Sequence, residues 1–181
     1  TRAEFTAMAV RMAGLIDSDA KCDFDDVSEN DWYYSSVKYA YENNLFAGTD
    51  KGFEPNVPMS RAMIVTVLHR LAAPSEAASE TLFEDIENDT WYSEGVKWAS
   101  SNGIITGITN TSFAPNSNIT REQLAVIIYR YANFMGYDTE VKNVNLDNFS
   151  DSDEISAFAT NAIKYAISKG IMNGKGNKVI A

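Results

Sequence analysis

Thr1-Arg2-Ala3-Glu4, Ser60-Arg61-Ala62-Met63 and Thr120-Arg121-Glu122-Gln123 are three versions of one tetrapeptide, set 59 and 60 residues apart (60 − 1 and 120 − 60). Each opens on a hydroxyl suited to a helix N-cap. In the first and third, Glu4 and Gln123 stand where a capping box needs its reciprocal acceptor, worth about 1 kcal/mol per cap. Met63 forfeits that half in the second. Apolar residues follow at helical spacing: Phe5, Met8, Met12 and Leu15; Ile64, Val67, Leu68 and Leu71; Leu124, Ile127, Ile128 and Tyr131. These stripes predict three amphipathic back-helices. A period near sixty means copies of a small unit that buries its apolar face against its neighbours.

Between the back-helices lies a front part, also in triplicate. It begins Phe24-Asp25-Asp26-Val27, Phe83-Glu84-Asp85-Ile86 and Phe149-Ser150-Asp151-Ser152. A helix is predicted from Trp32 to Tyr41, Trp91 to Ala99 and Phe158 to Ala166, ending near Asn44, Gly103 and Gly170, glycine being the usual C-terminal cap. Then come Leu45-Phe46-Ala47-Gly48, Ile104-Ile105-Thr106-Gly107 and Ile171-Met172-Asn173-Gly174. Gly48, Gly107 and Gly174 supply either a left-handed turn or a close backbone approach. Phe53-Glu54-Pro55 and Phe113-Ala114-Pro115 hold the next loop extended. The expected division is an N-terminal back-helix, 1–20, a candidate to complete the third unit, then repeats at 21–78, 79–140 and an incomplete 141–181. The Thr1 helix either fills the place after the third front, or is the tail of an upstream unit, or is exchanged between chains.

The chain has 181 residues, 45% of them hydrophobic, and a formal charge of −10. That composition is globular. The acidic balance argues against nucleic acid or anionic lipid as a partner, because both need a basic stripe. No apolar run is long enough to span a membrane. Cys22 is the lone cysteine and cannot form an intrachain disulfide; His69 is the lone histidine, so no transition-metal site is expected. The acidic stretch Asp147–Glu154 lacks the spacing of a calcium loop. No phosphate loop or nucleophile elbow is present, so no catalytic residue, metal or cofactor is expected.

Capping explains Thr and Glu but not arginine. Arg2, Arg61 and Arg121 occupy the first helical position, where the dipole is positive and a cation is unfavourable by about 0.3–1 kcal/mol. Three such placements suggest an anion. It is either internal, from Asp26, Asp85 and Asp151, or an external carboxylate held by the guanidinium fork and free helix N–H groups. Arg11, Arg70 and Arg130 lie toward the helix C-termini and read as structural. Trp32 and Trp91 are either core residues or platforms for a sugar ring, with Phe158 in the third place. Lys38, Lys97 and Lys164 read as a solvated face.

Phe-x-Asp, Trp-Tyr, the Ile/Leu-x-x-Gly turn, Phe-x-Pro and Ile-Thr-Arg-Glu-Gln, in this order, resemble the S-layer homology (SLH) domain over nearly the whole chain. The resemblance implies a mainly α fold, three repeats in a pseudo-threefold helical spindle with short loops. It further implies an exported bacterial module of the cell wall or S-layer, bound noncovalently to secondary cell wall polysaccharide that commonly bears pyruvylated N-acetylmannosamine. Its ligand-facing residues fall on Arg2, Arg61, Arg121, Asp26, Asp85, Asp151, Trp32, Trp91, Gly48, Gly107 and Gly174. Met63 and Phe158 depart from the pattern and are expected to weaken the groove of the Arg61 copy or the third front. A self-assembly module completed by exchange of the Thr1 helix is the alternative. A wall glycosidase would need two carboxylates facing across a cleft.

Overall fold

A computed structural model describes residues 1–14, 22–75, 80–141 and 143–180. Among these the chain is mainly helical: α1 (Arg2–Met12), α2 (Tyr34–Glu42), α3 (Arg61–Ala72), α4 (Ser93–Ser101), α5 (Arg121–Phe134) and α6 (Thr160–Ser168), with 3-10 turns at Leu146–Asn148 and Ser152–Glu154. No strand forms among the described residues; the only ladder contacts there are isolated bridges such as Thr49 with Gly52 and Lys175 with Lys178. None of the described helices is long and apolar enough to cross a membrane.

The caps form as their residues dictate. Thr1 and Thr120 complete capping boxes with Glu4 and Gln123, and Ser60 accepts from the Met63 N–H alone. The front helices begin two residues later than the apolar spacing predicts. Their aromatic pairs belong to the preceding turn, so that Tyr33, Tyr92 and Ala159 are N-cap residues. They end as expected, with Asn44, Gly103 and Gly170 at φ of 54°, 67° and 63°.

Each back-helix packs closely on the front helix that follows it, α1 on α2, α3 on α4 and α5 on α6. The beginnings of α1 and α5 meet Pro58 and Met59 around a small cleft. Two back-helices depart from the amphipathic reading. In α1 and α3 burial runs almost unbroken through the first nine or so residues, including Thr6 and Thr66. The hydroxyls of those threonines donate to Arg2 O and Ala62 O one turn back, so burial leaves no polar group unpaired there. Leu15, expected on the α1 stripe, lies outside the described residues, as does the end of the predicted 1–20 element.

Phe53 and Phe113, both fully buried, fasten the extended loops to this core, each by about 1.5–3 kcal/mol. Those loops then cap the helices from outside. Arg2 and Ala3 N–H donate to Val57 O and Pro55 O, and Arg61 and Ala62 N–H to Ser117 O and Pro115 O.

Candidate functional site

The repeated aspartates hold loops. Asp26 accepts from Phe53 N–H at 2.8 Å and Glu54 N–H at 2.6 Å. Asp85 accepts from Phe113 N–H, Ala114 N–H and the Ser112 hydroxyl, at 2.7–2.8 Å. Asp151, buried, accepts from Val179 and Ile180 N–H. The middle residue of the two Phe-x-Pro loops is left-handed, Glu54 at φ 55° and Ala114 at φ 59°. A residue so placed turns its own N–H and its predecessor's toward one point, where a carboxylate satisfies both. Burial raises the carboxyl pKa of Asp85 and of Asp151, yet the converging backbone donors outweigh it and leave both below the usual value.

The repeated arginines tie each helix start to its loop. Arg2 Nε donates to Phe53 O at 2.6 Å. Arg61 Nε donates to Phe113 O and its Nη2 to Thr106 O, at 2.7 and 2.8 Å. Arg121 Nε donates to Val179 O and its Nη2 to Asn173 O, at 2.8 and 2.7 Å. The guanidinium carbons of Arg2 and Arg61 lie over the Phe53 and Phe113 rings at 5.0 and 4.5 Å. Of the two internal and external anions, the first is not made as an ion pair: no arginine–aspartate pair within 4.0 Å occurs among the described residues. Burial lowers the pKa of Arg2 and Arg61, partly offset by the fields of Glu54 and Asp26 and of Asp85 respectively. Both stay protonated at any physiological pH. They are buried cations held by carbonyl dipoles. The helix N–H groups expected to share in anion binding are, at α1 and α3, taken by the loop carbonyls.

Two grooves gather the remaining features. One, of about 280 Å³, is lined by Arg121, the 171–175 turn with Gly174, the α1 residues Glu4, Met8 and Arg11, and Trp32. The other, of about 370 Å³, is lined by Arg2, the 45–49 turn with Gly48, the α3 residues Met63, Val67 and Arg70, and Trp91. They correspond residue for residue. α1 stands beside the third front's turn as α3 stands beside the first's. Trp32 and Trp91 are 64% and 58% exposed, whereas Tyr33 beside Trp32 is buried. Each indole stands edge-on to its tyrosine, at 5.2 and 5.1 Å. Their exposure speaks against the core reading of both tryptophans. Phe158 is also exposed, at 66%.

The glycines are needed for closeness. A Cβ on Gly48, at φ +69°, would stand 2.5 Å from Phe24 Cε1, and one on Gly174 would stand 2.7 Å from Phe149 Cε1. A Cβ on Gly107 would meet Thr109 O and Ser112 O. The phenylalanine that opens each front thus packs onto the glycine of the same front's turn.

Of the expected site residues, Arg121, Gly174 and Trp32 come together in one groove and Arg2, Gly48 and Trp91 in the other. Arg61 and Gly107 line neither, and Asp26, Asp85 and Asp151 stay behind the loops. Arg11 and Arg70, read as structural, line the grooves, and Arg70 also donates to Leu45 O at 3.1 Å. The missed signal was spacing. Arg11 follows Arg2 by nine residues (11 − 2), about two and a half helical turns, so the two point to opposite sides. One back-helix thus serves two grooves.

The S-layer homology domain matches residues 23–62, 82–125 and 148–181. The chain is 32% identical over 152 residues to an endoglucanase of Bacillus sp. (strain KSM-635), covering 83% of this chain and 16% of that protein. It is 30% identical over 148 residues to the S-layer protein of Bacillus thuringiensis subsp. finitimus, covering 80% and 18%. It is 28% identical over 143 residues to the surface-layer 125 kDa protein of Lysinibacillus sphaericus, covering 76% and 12%. The chain spans less than a fifth of the length of these relatives. With the matched segments covering more than half its residues, it belongs to the S-layer homology domain family. It is a cell-surface anchoring module, and its place is the cell wall or S-layer of a bacterium.

Proposed function

We propose that the chain anchors its protein by binding an acidic secondary cell wall polysaccharide noncovalently in the two grooves, with pyruvylated N-acetylmannosamine as the sugar recognised. The single observation that carries this reading is the recurrence, in both grooves, of an immobilised arginine beside an exposed indole. Arg2 and Arg121 use Nε, and Arg121 also Nη2, to hold carbonyls; Nη1 has no hydrogen bond among the described residues. A ketal carboxylate at that edge would neutralise the cation while the indole covers the sugar's C–H face. The turn glycines set the floor, and the aspartates act by positioning the loop that the arginine grips. The reading includes no chemistry: the three aspartates spend their carboxylates on backbone donors.

Trp91→Ala tests it. A tryptophan presents about 250 Å², so at 58% exposure about 145 Å² of Trp91 is open. A ring covering half of that removes about 70 Å² from water, about 1.8 kcal/mol at about 25 cal/mol/Å². Calorimetry with pyruvylated wall glycan should show affinity at that groove falling about twentyfold, with circular dichroism unchanged. Unaltered binding of Trp32→Ala, Trp91→Ala and the double variant would remove the proposal.

A further inference from the structure

The two grooves are lined by corresponding residues but differ in charge. The residue after the turn glycine is Thr49 in one and Lys175 in the other. Both sit in the same local hairpin: Thr49 N–H donates to Gly52 O at 2.8 Å, and Lys175 N–H to Lys178 O at 2.7 Å. The backbones being alike, the lip differs by side chain alone. The Thr49 hydroxyl donates to Glu54 Oε2 at 2.8 Å, which brings a carboxylate to that lip. Lys175 brings an ammonium to the other, on a groove that already holds Arg11 and Arg121. The opposite walls differ too. Glu4 stands in the Lys175 groove, its carboxylate accepting from the Thr1 hydroxyl at 2.8 Å. Met63 takes its place in the other groove, beside Val67 and Phe46.

Resting on the function proposed above, we infer that the grooves divide a wall glycan by anion count. The Trp32 groove takes a sugar carrying two negative groups: Arg121 meets the first, and Arg11 and Lys175 flank the second. The Trp91 groove takes a sugar with a single carboxylate on an apolar substituent, the carboxylate on Arg2 and the substituent against Met63 and Val67. An apolar wall strengthens a lone ion pair by excluding water. Arg11, Arg121 and Lys175 against Glu4 leave the Trp32 groove a net of two positive charges (3 − 1), Arg2 and Arg70 against Glu54 leave the other one (2 − 1), and that difference is what discriminates.

Two probes separate the sites: pyruvylated N-acetylmannosamine as its methyl glycoside, with one carboxylate, and as its 1-phosphate, with two anionic groups. Calorimetry would use the 181-residue chain carrying Trp91→Ala, which leaves the Trp32 groove intact, and carrying Trp32→Ala, which leaves the other. Both indoles are exposed, so neither change removes core packing. The Trp91→Ala chain should bind the 1-phosphate about two- to fivefold more tightly than the methyl glycoside, the range of one added solvent-accessible ion pair. Adding Lys175→Thr should erase that preference. The Trp32→Ala chain should prefer the methyl glycoside or show no preference. The same preference in both backgrounds, or one that survives Lys175→Thr, overturns the inference while sparing glycan binding. Failure of the wild-type chain to bind either probe overturns the glycan reading and this inference with it.

Discussion

Replacing Asp85 with alanine should cost most of the stability of the second loop without touching a groove. The carboxylate accepts three hydrogen bonds, from Ser112 Oγ, Phe113 N–H and Ala114 N–H. The hydroxyl is close enough to solvent to be rehydrated. The two amides converge on the one acceptor, and bonds to a charged group are worth about 1.5–3 kcal/mol each. Because Asp85 is partly exposed, the low end applies, about 3 kcal/mol for the pair. Ala114 would then be free to leave its left-handed conformation, which returns about 1 kcal/mol. The net loss is about 2 kcal/mol. With a urea slope of about 2 kcal/mol/M, the midpoint should fall by about 1 M. Amide exchange at Phe113 and Ala114 should accelerate more than at Ile64 or Leu68, which lie in the core of α3. Asp85→Asn keeps one acceptor oxygen and should lose about half as much. An unchanged urea midpoint in Asp85→Ala, with Phe113 and Ala114 still protected, would refute the carboxylate clamp and return these aspartates to the ligand role first expected of them.

Ala114→Gly should stabilise the chain, because glycine removes about 1 kcal/mol of left-handed strain at φ 59° and gives back about half of that in unfolded-chain entropy; scanning calorimetry should show Tm rising by about 1–2 °C. Gly48→Ala should do the reverse by about 2 kcal/mol, since the new Cβ sits 2.5 Å from Phe24 Cε1 at a positive φ, and chemical denaturation should show it, with no effect at the Trp32 groove. The acid limb follows from Asp85 and Asp151. Their folded pKa values lie below the unfolded value near 3.8. Their contribution is therefore complete above about pH 4 and is lost as pH falls through the lower folded values. Thermal midpoints should drop steeply below pH 4 in the wild type and less steeply in a chain carrying both Asp85→Asn and Asp151→Asn.

The fold was legible because the repeat supplied three readings of each element. Thr120 with Gln123 marked a capping box, Gly103 and Gly170 marked helix ends, and Ile64, Val67 and Leu68 marked a buried stripe; each has a local physical cause that one sequence window contains. The site was half legible. Position argued that Arg2, Arg61 and Arg121 each needed an anion; Arg121 lines a groove with Trp32 and Arg2 one with Trp91, whereas Arg61 lines neither. What the sequence hid was partnership at long range. Asp26 reaches across 27 residues to the Phe53 amide, and a carboxylate satisfied by backbone N–H groups leaves no mark in side-chain pattern. Arg11 and Arg70 were hidden differently. Read along one helix they complement the C-terminal dipole, and only the placement of a second unit's turn beside that helix face turns them toward a groove.

A net charge of −10 and an acidic ligand are compatible because the two act at different distances. At physiological ionic strength the Debye length is about 8 Å, so the dispersed acidic surface slows encounter more than it weakens contact. Contact energy is set by the few charges within the groove, and those are cationic on balance: Arg11, Arg121 and Lys175 against Glu4 in one, Arg2 and Arg70 in the other, with Glu54 at its lip. The arginines that tie the loops are also fixed before any ligand arrives. Arg121 spends two of its donors on Asn173 O and Val179 O, so the conformational entropy of a long side chain is lost during folding rather than during binding. That coupling accounts for arginine rather than lysine at the helix start. A planar guanidinium grips two carbonyls along one edge and leaves its remaining donors for an anion. An ammonium offers no second edge. At Arg2 and Arg121 the mild dipole penalty of the first helical position accompanies a residue that both closes a loop and lines a groove; at Arg61 it accompanies loop closure alone.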